Sequence, residues 1–413
     1  MQMKRFISLF LIIAMLLVFS ACDKGETPPE PENNKNEVIA MTEKEKILNG
    51  LTDDANEVSL ANEGNADRIK ALMKKAENGG TYTVAVLGGS ISQGQGATTQ
   101  ENCYGYLVKE WWVKSFPKAT FKFVNGGLGG TNPEMACYRY SRDIEPYKPE
   151  FTVIDFTQNT YLDKNIKDSY GTLVHKLLTQ GSAVMAVYFT RCNPDEYKKA
   201  NYIEVPEIKV PDDDIKYVVD RYDLPAVDTD KYIWKYMNNE ITWSGIYSDY
   251  IHPNDQGHKL CANLIMLQLE NIKATLGDFD GKISEIPELE SDKYLNVTCL
   301  SSKSMGVTVR GCFKTLEDNG LSSSRGWRVS KGEGSLTVML PDNVKKARLF
   351  VAFGSADNGY LLLTSKDGTT QKIMAKQAIH STLIDIELDP TKLITITSGV
   401  ENTISIHYIG LEY

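Results

Sequence analysis

The residues best suited to chemistry lie far apart in this 413-residue chain. Ser90 closes the turn "GGS" (88–90) after an apolar run, while Asp249 and His252 share the stretch "SDYIHPNDQGH" (248–258). A serine hydroxyl attacks poorly near neutral pH until a base within hydrogen-bond reach takes its proton, and that base needs a carboxylate to hold its tautomer. The chain has five histidines. His175 falls in a helical pattern, and His380 and His407 fall in a β-rich C-terminal part, which leaves His252 and His258. His252 precedes Pro253 and is therefore held in an extended or turn conformation. Asp249 comes three residues earlier, so one short loop can present base and carboxylate together. His258, one turn into the last helical pattern, is the alternative base. Such a set would transfer an acyl group to water through a covalent acyl-enzyme. Read alone, the stretch also fits a surface turn with incidental Asp and His.

Two other chemistries of glycine-rich turns fail here. No lysine follows in the phosphate-loop arrangement G-x-x-x-x-G-K-[ST], and Ser92 stands where the nucleophile elbow G-x-S-x-G needs its last glycine. Two further loops supply candidate donors. "VNGGLGGT" (124–131) carries glycines at 126, 127, 129 and 130, and close backbone approach would let an amide such as that of Gly127 face a ligand. "IDFTQNT" (154–160) contains Asn159, whose amide can donate to an oxyanion without losing a proton. Either loop also fits ordinary punctuation.

Together the four stretches resemble the SGNH, or GDSL-like, hydrolase family over roughly residues 80 to 272. "GGS" matches the nucleophile block, with Gly89 where aspartate is common; "NGGLGGT" matches the glycine block, "TQNT" the asparagine block and "DYIHP" the D-x-x-H block. The resemblance implies that Ser90 attacks, that His252 serves as base and then acid, and that Asp249 orients it. It also implies an oxyanion hole of the Ser90 N–H, the Gly127 N–H and the Asn159 side chain. Thr157 and Thr160 replace the glycine and aspartate usual in the third block and leave the Asn159 donor in place.

Elements must bring these loops together. Apolar runs at Val84–Leu87, Phe121–Val124, Phe151–Phe156 and Ala183–Phe189 read as strands, with a short one at Ala226–Val227. Helical patterns occupy Tyr104–Phe116, Pro133–Tyr147 and Ile166–Gln180, with another in "PDDDIKYVVDRYDLPAVD" (211–228) and a last one from about Asn254, its cap, to Lys273. Alternating strands and helices imply a parallel sheet covered on both faces. Ligands bind beyond the carboxyl ends of such strands, where Ser90 sits. The resemblance makes this α/β part a flavodoxin-like three-layer SGNH fold, expected over 39–278. From 285 to 413, short β-rich runs separated by Gly, Asp, Asn and Lys turns predict a small all-β sandwich or jelly-roll-like domain. "GDFDGKISEIPELESDK" (277–293) is the expected connector.

The ends and the composition set the context. Lys4 and Arg5 precede an apolar run, Phe6–Phe19, and Ser20 and Ala21 lead into Cys22, which is the pattern of an export signal. The run is short of the ~20 residues a membrane-spanning helix needs. "FSAC" resembles a lipobox, so residues 1–22 are expected to be a lipoprotein signal with Cys22 lipidated; an ordinary cleaved signal is the other reading. Residues 23–38, rich in Pro, Glu and Asn, read as a solvated tether to a membrane. A net charge of −9 without a basic stripe argues against a nucleic-acid partner. No C-x-x-C or other metal-ligand spacing occurs, and no cofactor or metal is expected; Cys299 and Cys312 are candidates for a disulfide, with structural thiols the better reading.

An exported, anchored enzyme with a β-rich companion domain is expected to act on an external polymer, and an acylated glycan is the expected substrate. Tyr138, Tyr161, Trp243 and Tyr250 are candidates to stack on sugar rings or simply to pack. A carbohydrate-binding lipoprotein that has lost activity, and an SGNH hydrolase of another ester or thioester, are the alternatives.

Overall fold

A computed structural model describes residues 41–160, 163–190, 212–237, 241–353, 359–374, 380–388, 392–399 and 403–413. The expected signal, Cys22, the tether and Tyr161 lie outside these residues.

The α/β part begins with helices α1 (Glu43–Leu48) and α2 (Ala55–Ser59), the edge strand β1 (Leu60–Asn62) and α3 (Asp67–Glu77). Then follow β2 (Gly80–Gly88), α4 (Ser90–Gln93), α5 (Tyr104–Ser115), β3 (Ala119–Gly127), α6 (Pro133–Asp143), β4 (Phe151–Asp155), α7 (Ile166–Thr179) and β5 (Ala183–Tyr188). It ends with α8 (Asp213–Arg221), β6 (Ala226–Asp228), α9 (Thr229–Tyr236), α10 (Trp243–Ile246) and α11 (Asp255–Ala274). The six strands run in the order β1-β6-β5-β4-β2-β3, all parallel except β1, which pairs antiparallel with β6 at one edge. The sheet is thus mixed at that edge.

Side-chain alternation makes the three layers. Val84 and Val86 of β2 face a core with Val153, Met185, α5 and α11, while Ala85 and Leu87 face a second core with Ile154, Ala186, α6 and α7. Every residue of β4 and β5 is buried, as strands covered on both faces require. The register sets Gly88 opposite both Gly127 and Asp155, so the C-terminal ends of three neighbouring strands lie side by side. The Asn254 side chain accepts from Gly257 N–H (3.1 Å) to start α11, and Asn132 caps α6 by accepting from Met135 N–H (2.8 Å). The helix expected over Pro133–Tyr147 stops at Asp143, and Glu145–Tyr147 form a separate 3₁₀ turn around Pro146, which has no N–H to continue an α-helix.

The C-terminal part is all antiparallel: β7 (Val297–Leu300), β8 (Val307–Thr315), β9 (Trp327–Met339), β10 (Lys346–Phe353), β11 (Tyr360–Ser365), β12 (Thr370–Met374), β13 (His380–Ile386), β14 (Leu393–Ser398) and β15 (Ile404–Glu412). Two long strands change partners along their length. β9 meets β15 through Trp327–Val329 and β14 through Leu336–Met339, and β15 meets β9 first and β7 later. The two arms close over one apolar cluster that includes Trp327, Leu336, Val351, Leu361, Ile396 and Ile406. Cys299 lies on β7 and Cys312 on β8, strands that pair with β15 and β9 respectively, and both are free thiols rather than a disulfide.

The two parts share a core. Tyr294, Val297, Phe350 and Tyr408 of the β part are buried in the same cluster as Met135, Ala136 and Tyr138 of α6. Tyr408 donates to the Met135 carbonyl (2.8 Å), and Arg348 pairs with Glu134 (2.6 Å).

Candidate active site

Ser90 is the first residue of α4, directly beyond the end of β2. As a first-turn residue its N–H has no intrahelical acceptor, so it is free for a ligand. Its hydroxyl lies 2.9 Å from His252 Nε2, and His252 Nδ1 lies 2.6 Å from Asp249 Oδ2. The other Asp249 oxygen accepts from the N–H groups of Ile251 and His252, each at 2.8 Å. Burial would raise the Asp249 carboxyl, but its hydrogen bond to and charge interaction with His252, together with the two amides, outweigh this and hold it below the usual carboxylate range. An ionised Asp249 accepts a hydrogen bond from Nδ1–H, and the Nε2 lone pair then faces the Ser90 hydroxyl.

The loop that carries Asp249 and His252 is held from several sides. The Trp243 indole of α10 donates to the Asp249 carbonyl (2.6 Å), Ser248 donates twice to the His252 carbonyl (2.9 and 3.0 Å), and Asn254 N–H donates to the Ile246 carbonyl (3.0 Å). His258 does not approach Ser90. It is fully buried, Nδ1 faces Tyr104 N–H (3.4 Å) and Nε2 faces the Gln95 carbonyl (3.2 Å). These partners suit a neutral ring, and burial depresses its pKa to about 4. It is a structural tie between the nucleophile loop and α11, not a second base.

The Asn159 side chain packs against the residue before the nucleophile. A Cβ at Gly89 would stand 2.5 Å from Asn159 Oδ1, so any side chain at this position requires the Asn159 side chain to move. The Asn159 backbone N–H donates to the Phe156 carbonyl (3.1 Å), while its side-chain amide makes no hydrogen bond to another described residue. Its loop is supported in a way the sequence did not announce. Thr157 N–H and hydroxyl both donate to Asp155 Oδ1 (3.0 and 2.8 Å), and the same hydroxyl accepts from Phe189 N–H (3.1 Å) at the end of β5. The threonine that replaces the family's glycine thereby ties two strand ends together. Burial raises Asp155 to about 7, against the two bonds from Thr157.

The expectation for Gly127 is corrected. Its N–H donates to the Asn125 side chain (2.9 Å), and the residue is buried against α4, where a Cβ would fall 2.1 Å from Gln93 N. That amide is occupied and shielded. The glycine beside the nucleophile is Gly129, where a Cβ would stand 3.7 Å from Ser90 Cβ, and its N–H donates to Gln93 Oε1 (2.7 Å). The next residue, Gly130, adopts a left-handed φ of 71°. Its N–H has no acceptor among the described residues. Four closely spaced glycines in the sequence could not say which one is free; the strand end decides it.

The aromatic candidates separate. Tyr138 is buried between the two parts, with Gly410 against its ring and its hydroxyl donating to Glu412. Trp243 is buried and stacked on Tyr247 (ring centroids 3.9 Å apart). Of the three described candidates, Tyr250, half-buried with its ring centroid 6.5 Å from that of His252, stays beside the site. Arg139 and Gln93, which carry no sequence signal, also brace it: Arg139 donates to the carbonyls of Gly88 (2.9 Å) and Gly126 (2.5 Å).

Residues 86–260 match the sequence model of the GDSL-like lipase/acylhydrolase family. These residues form a GDSL-like lipase/acylhydrolase domain, which supports a carboxylic ester hydrolase of the SGNH type. Comparison with curated proteins found no match. Among solved structures, the chain is similar to a two-domain esterase (CEX) active on acetylated mannans, crystallised alone (TM-score 0.65) and with mannopentaose (TM-score 0.64). In both comparisons identity is 23%, covering 86% of this chain and 98% of that one, so both parts of the fold are matched.

Proposed function

We propose that this protein is a serine esterase that removes acetyl or other short acyl groups from polysaccharide or oligosaccharide, at the outer face of a membrane to which Cys22 anchors it. The observation that carries the catalytic reading is the unbroken series Ser90 Oγ, His252 Nε2, His252 Nδ1, Asp249 Oδ2 at 2.9 and 2.6 Å. Ser90 Oγ attacks the ester carbonyl while its proton passes to His252 Nε2. The carbonyl oxygen becomes an oxyanion that the Ser90 N–H, the Asn159 amide and the Gly130 N–H stabilise. Protonated His252 then gives its proton to the departing sugar oxygen, which leaves acyl-Ser90. Water attacks that ester as His252 takes one of its protons, and collapse returns the proton to Ser90 and releases the acid. Asp249 stays ionised throughout and holds the imidazole. Support for a glycan substrate comes from the two-domain fold, shared with an esterase described as active on acetylated mannans.

The test uses the exported chain from about residue 37 with p-nitrophenyl acetate, p-nitrophenyl butyrate and acetylated mannan, beside Ser90→Ala. Release of acetate from mannan, and a preference for acetate over butyrate, both lost in Ser90→Ala, are expected. A folded wild-type protein that releases nothing would overturn the reading.

A further inference from the structure

We propose that Arg325, on the β domain, is a positioning residue for hydrolysis at Ser90, acting through Asp143 and Arg139 of the α/β domain; this rests on the esterase reading above. The basis is a buried network that runs from one domain into the backbone of the site. Arg139 and Asp143 have no exposed side-chain surface, and Arg325 has 7%. Arg139 spreads its guanidinium over three points of the site: the Gly88 carbonyl (2.9 Å), the Gly126 carbonyl (2.5 Å) and the Thr131 hydroxyl (3.0 Å). Gly88 lies two residues before the nucleophile, and Gly126 and Thr131 bracket the glycine loop that carries the free Gly130 amide. One planar group therefore sets the spacing between nucleophile and oxyanion donor.

What fixes Arg139 is Asp143, whose Oδ2 it meets at 3.1 Å. The remaining capacity of that carboxylate is taken by Arg142, at 2.7 and 2.9 Å, and by Arg325 at 3.1 Å. Burial alone would raise Asp143, but the guanidinium groups of Arg142, Arg139 and Arg325 hold it well below the usual carboxylate range. Arg325 is itself aimed from both domains, by the Gly320 carbonyl (3.3 Å) and Tyr147 hydroxyl (2.9 Å). Beside it, the turn that precedes Arg325 reaches the same loops. Ser322 donates to the Asn125 carbonyl (3.5 Å), and Gln93, which accepts from Gly129 N–H, contacts the Ser323 hydroxyl (3.3 Å). A buried carboxylate shared by three guanidiniums has a defined orientation only while its partners are present, so losing Arg325 frees Asp143 and the Arg139 fork to shift. Shifts of this kind act on nucleophile geometry more than on substrate affinity.

Arg325→Gln is compared with Arg325→Lys and with Arg348→Gln, which removes another interdomain ion pair, that with Glu134, without touching the site backbone. Each is measured for kcat and KM on p-nitrophenyl acetate, for the rate at which a fluorophosphonate labels Ser90, and for Tm. Arg325→Gln is expected to lower both kcat and the labelling rate by about tenfold with KM little changed. Arg325→Lys should recover part of the loss, and Arg348→Gln should stay within about twofold of wild type in both rates although its Tm falls. Wild-type rates in Arg325→Gln, or an equal loss in Arg348→Gln, would overturn the inference. A wild-type protein that neither hydrolyses the ester nor labels at Ser90 would overturn the esterase reading and this inference with it.

Discussion

Asn159 and Gly89 must be considered together. Position 89 lacks the Cβ that would stand 2.5 Å from Asn159 Oδ1, and among the described residues the Asn159 side-chain amide has no partner to give up when an oxyanion forms. Removal of one such donor costs about 3 kcal/mol of transition-state stabilisation. Asn159→Ala is therefore expected to lower kcat by roughly 10² to 10³ with the fold intact, measured by steady-state kinetics beside circular dichroism. Gly89→Asp, which restores the residue common in the family, should lower kcat as well, because its side chain needs the space Asn159 fills; unchanged kcat would show that Asn159 is not held there. Asp249→Asn keeps the shape of the loop and loses the charge that fixes the imidazole, so a loss of about 10⁴ in kcat is expected.

Among the elements, the loops between strand ends decide how much the sequence could disclose. The main strands of the α/β sheet were legible because strands buried on both faces are continuous apolar runs, and α11 because Asn254 announces its cap. The Ser90, Asp249 and His252 set was legible for a related reason: few histidines exist, and one stands three residues after an aspartate and just before a proline. The glycine loop was not legible to the residue. Gly127 is consumed by the Asn125 side chain and the packing of α4, while the Gly130 N–H has no acceptor among the described residues, and only the folded strand end distinguishes them. The support of Asn159 was hidden too, since Thr157 works through the Phe189 amide, just beyond β5 and 32 positions away. β1, three residues long, offered no periodicity to read. At this scale Trp243→Phe is the informative change. It keeps the stack on Tyr247 and deletes the donor to the Asp249 carbonyl, so kcat should fall several-fold while Tm changes little; unchanged kcat would mean that the Ser248 and Asn254 bonds alone hold the loop.

The two parts share one core because α6 is buried between the α/β sheet and the β domain. A chain ending near residue 278 would expose Met135, Ala136, Tyr138 and the Arg139–Asp143 pair, so it is expected to be insoluble or to melt well below the full chain; a soluble truncation with wild-type activity would contradict the shared core. Protonation reports on the same seam. His407 of β15 is buried, its Nδ1 has no hydrogen-bond partner among the described residues, and burial, followed by the Arg142 and Arg139 charges, depresses its pKa to about 4. In the unfolded chain it takes a proton below about pH 6.5. Its contribution to stability therefore declines as pH falls from about 6.5 to about 4, where the unfolded state binds more protons. Burial raises Asp155 to about 7 and Asp228 to about 6, and these act in the opposite direction over the same range, so the wild-type curve alone is not diagnostic. The comparison that isolates the histidine is His407→Phe against wild type in urea: its advantage should grow between pH 8 and pH 5, and an equal difference at both would contradict the burial of a neutral ring.

During turnover Ser90 is expected to carry the acyl group. Protein quenched in acid during turnover of p-nitrophenyl acetate, digested and examined by mass spectrometry, should show one acetyl group on the peptide containing Ser90 and none on the corresponding peptide of Ser90→Ala. Ester hydrolysis that leaves Ser90 unmodified at every stage of turnover, and continues at the wild-type rate in Ser90→Ala, would contradict the account.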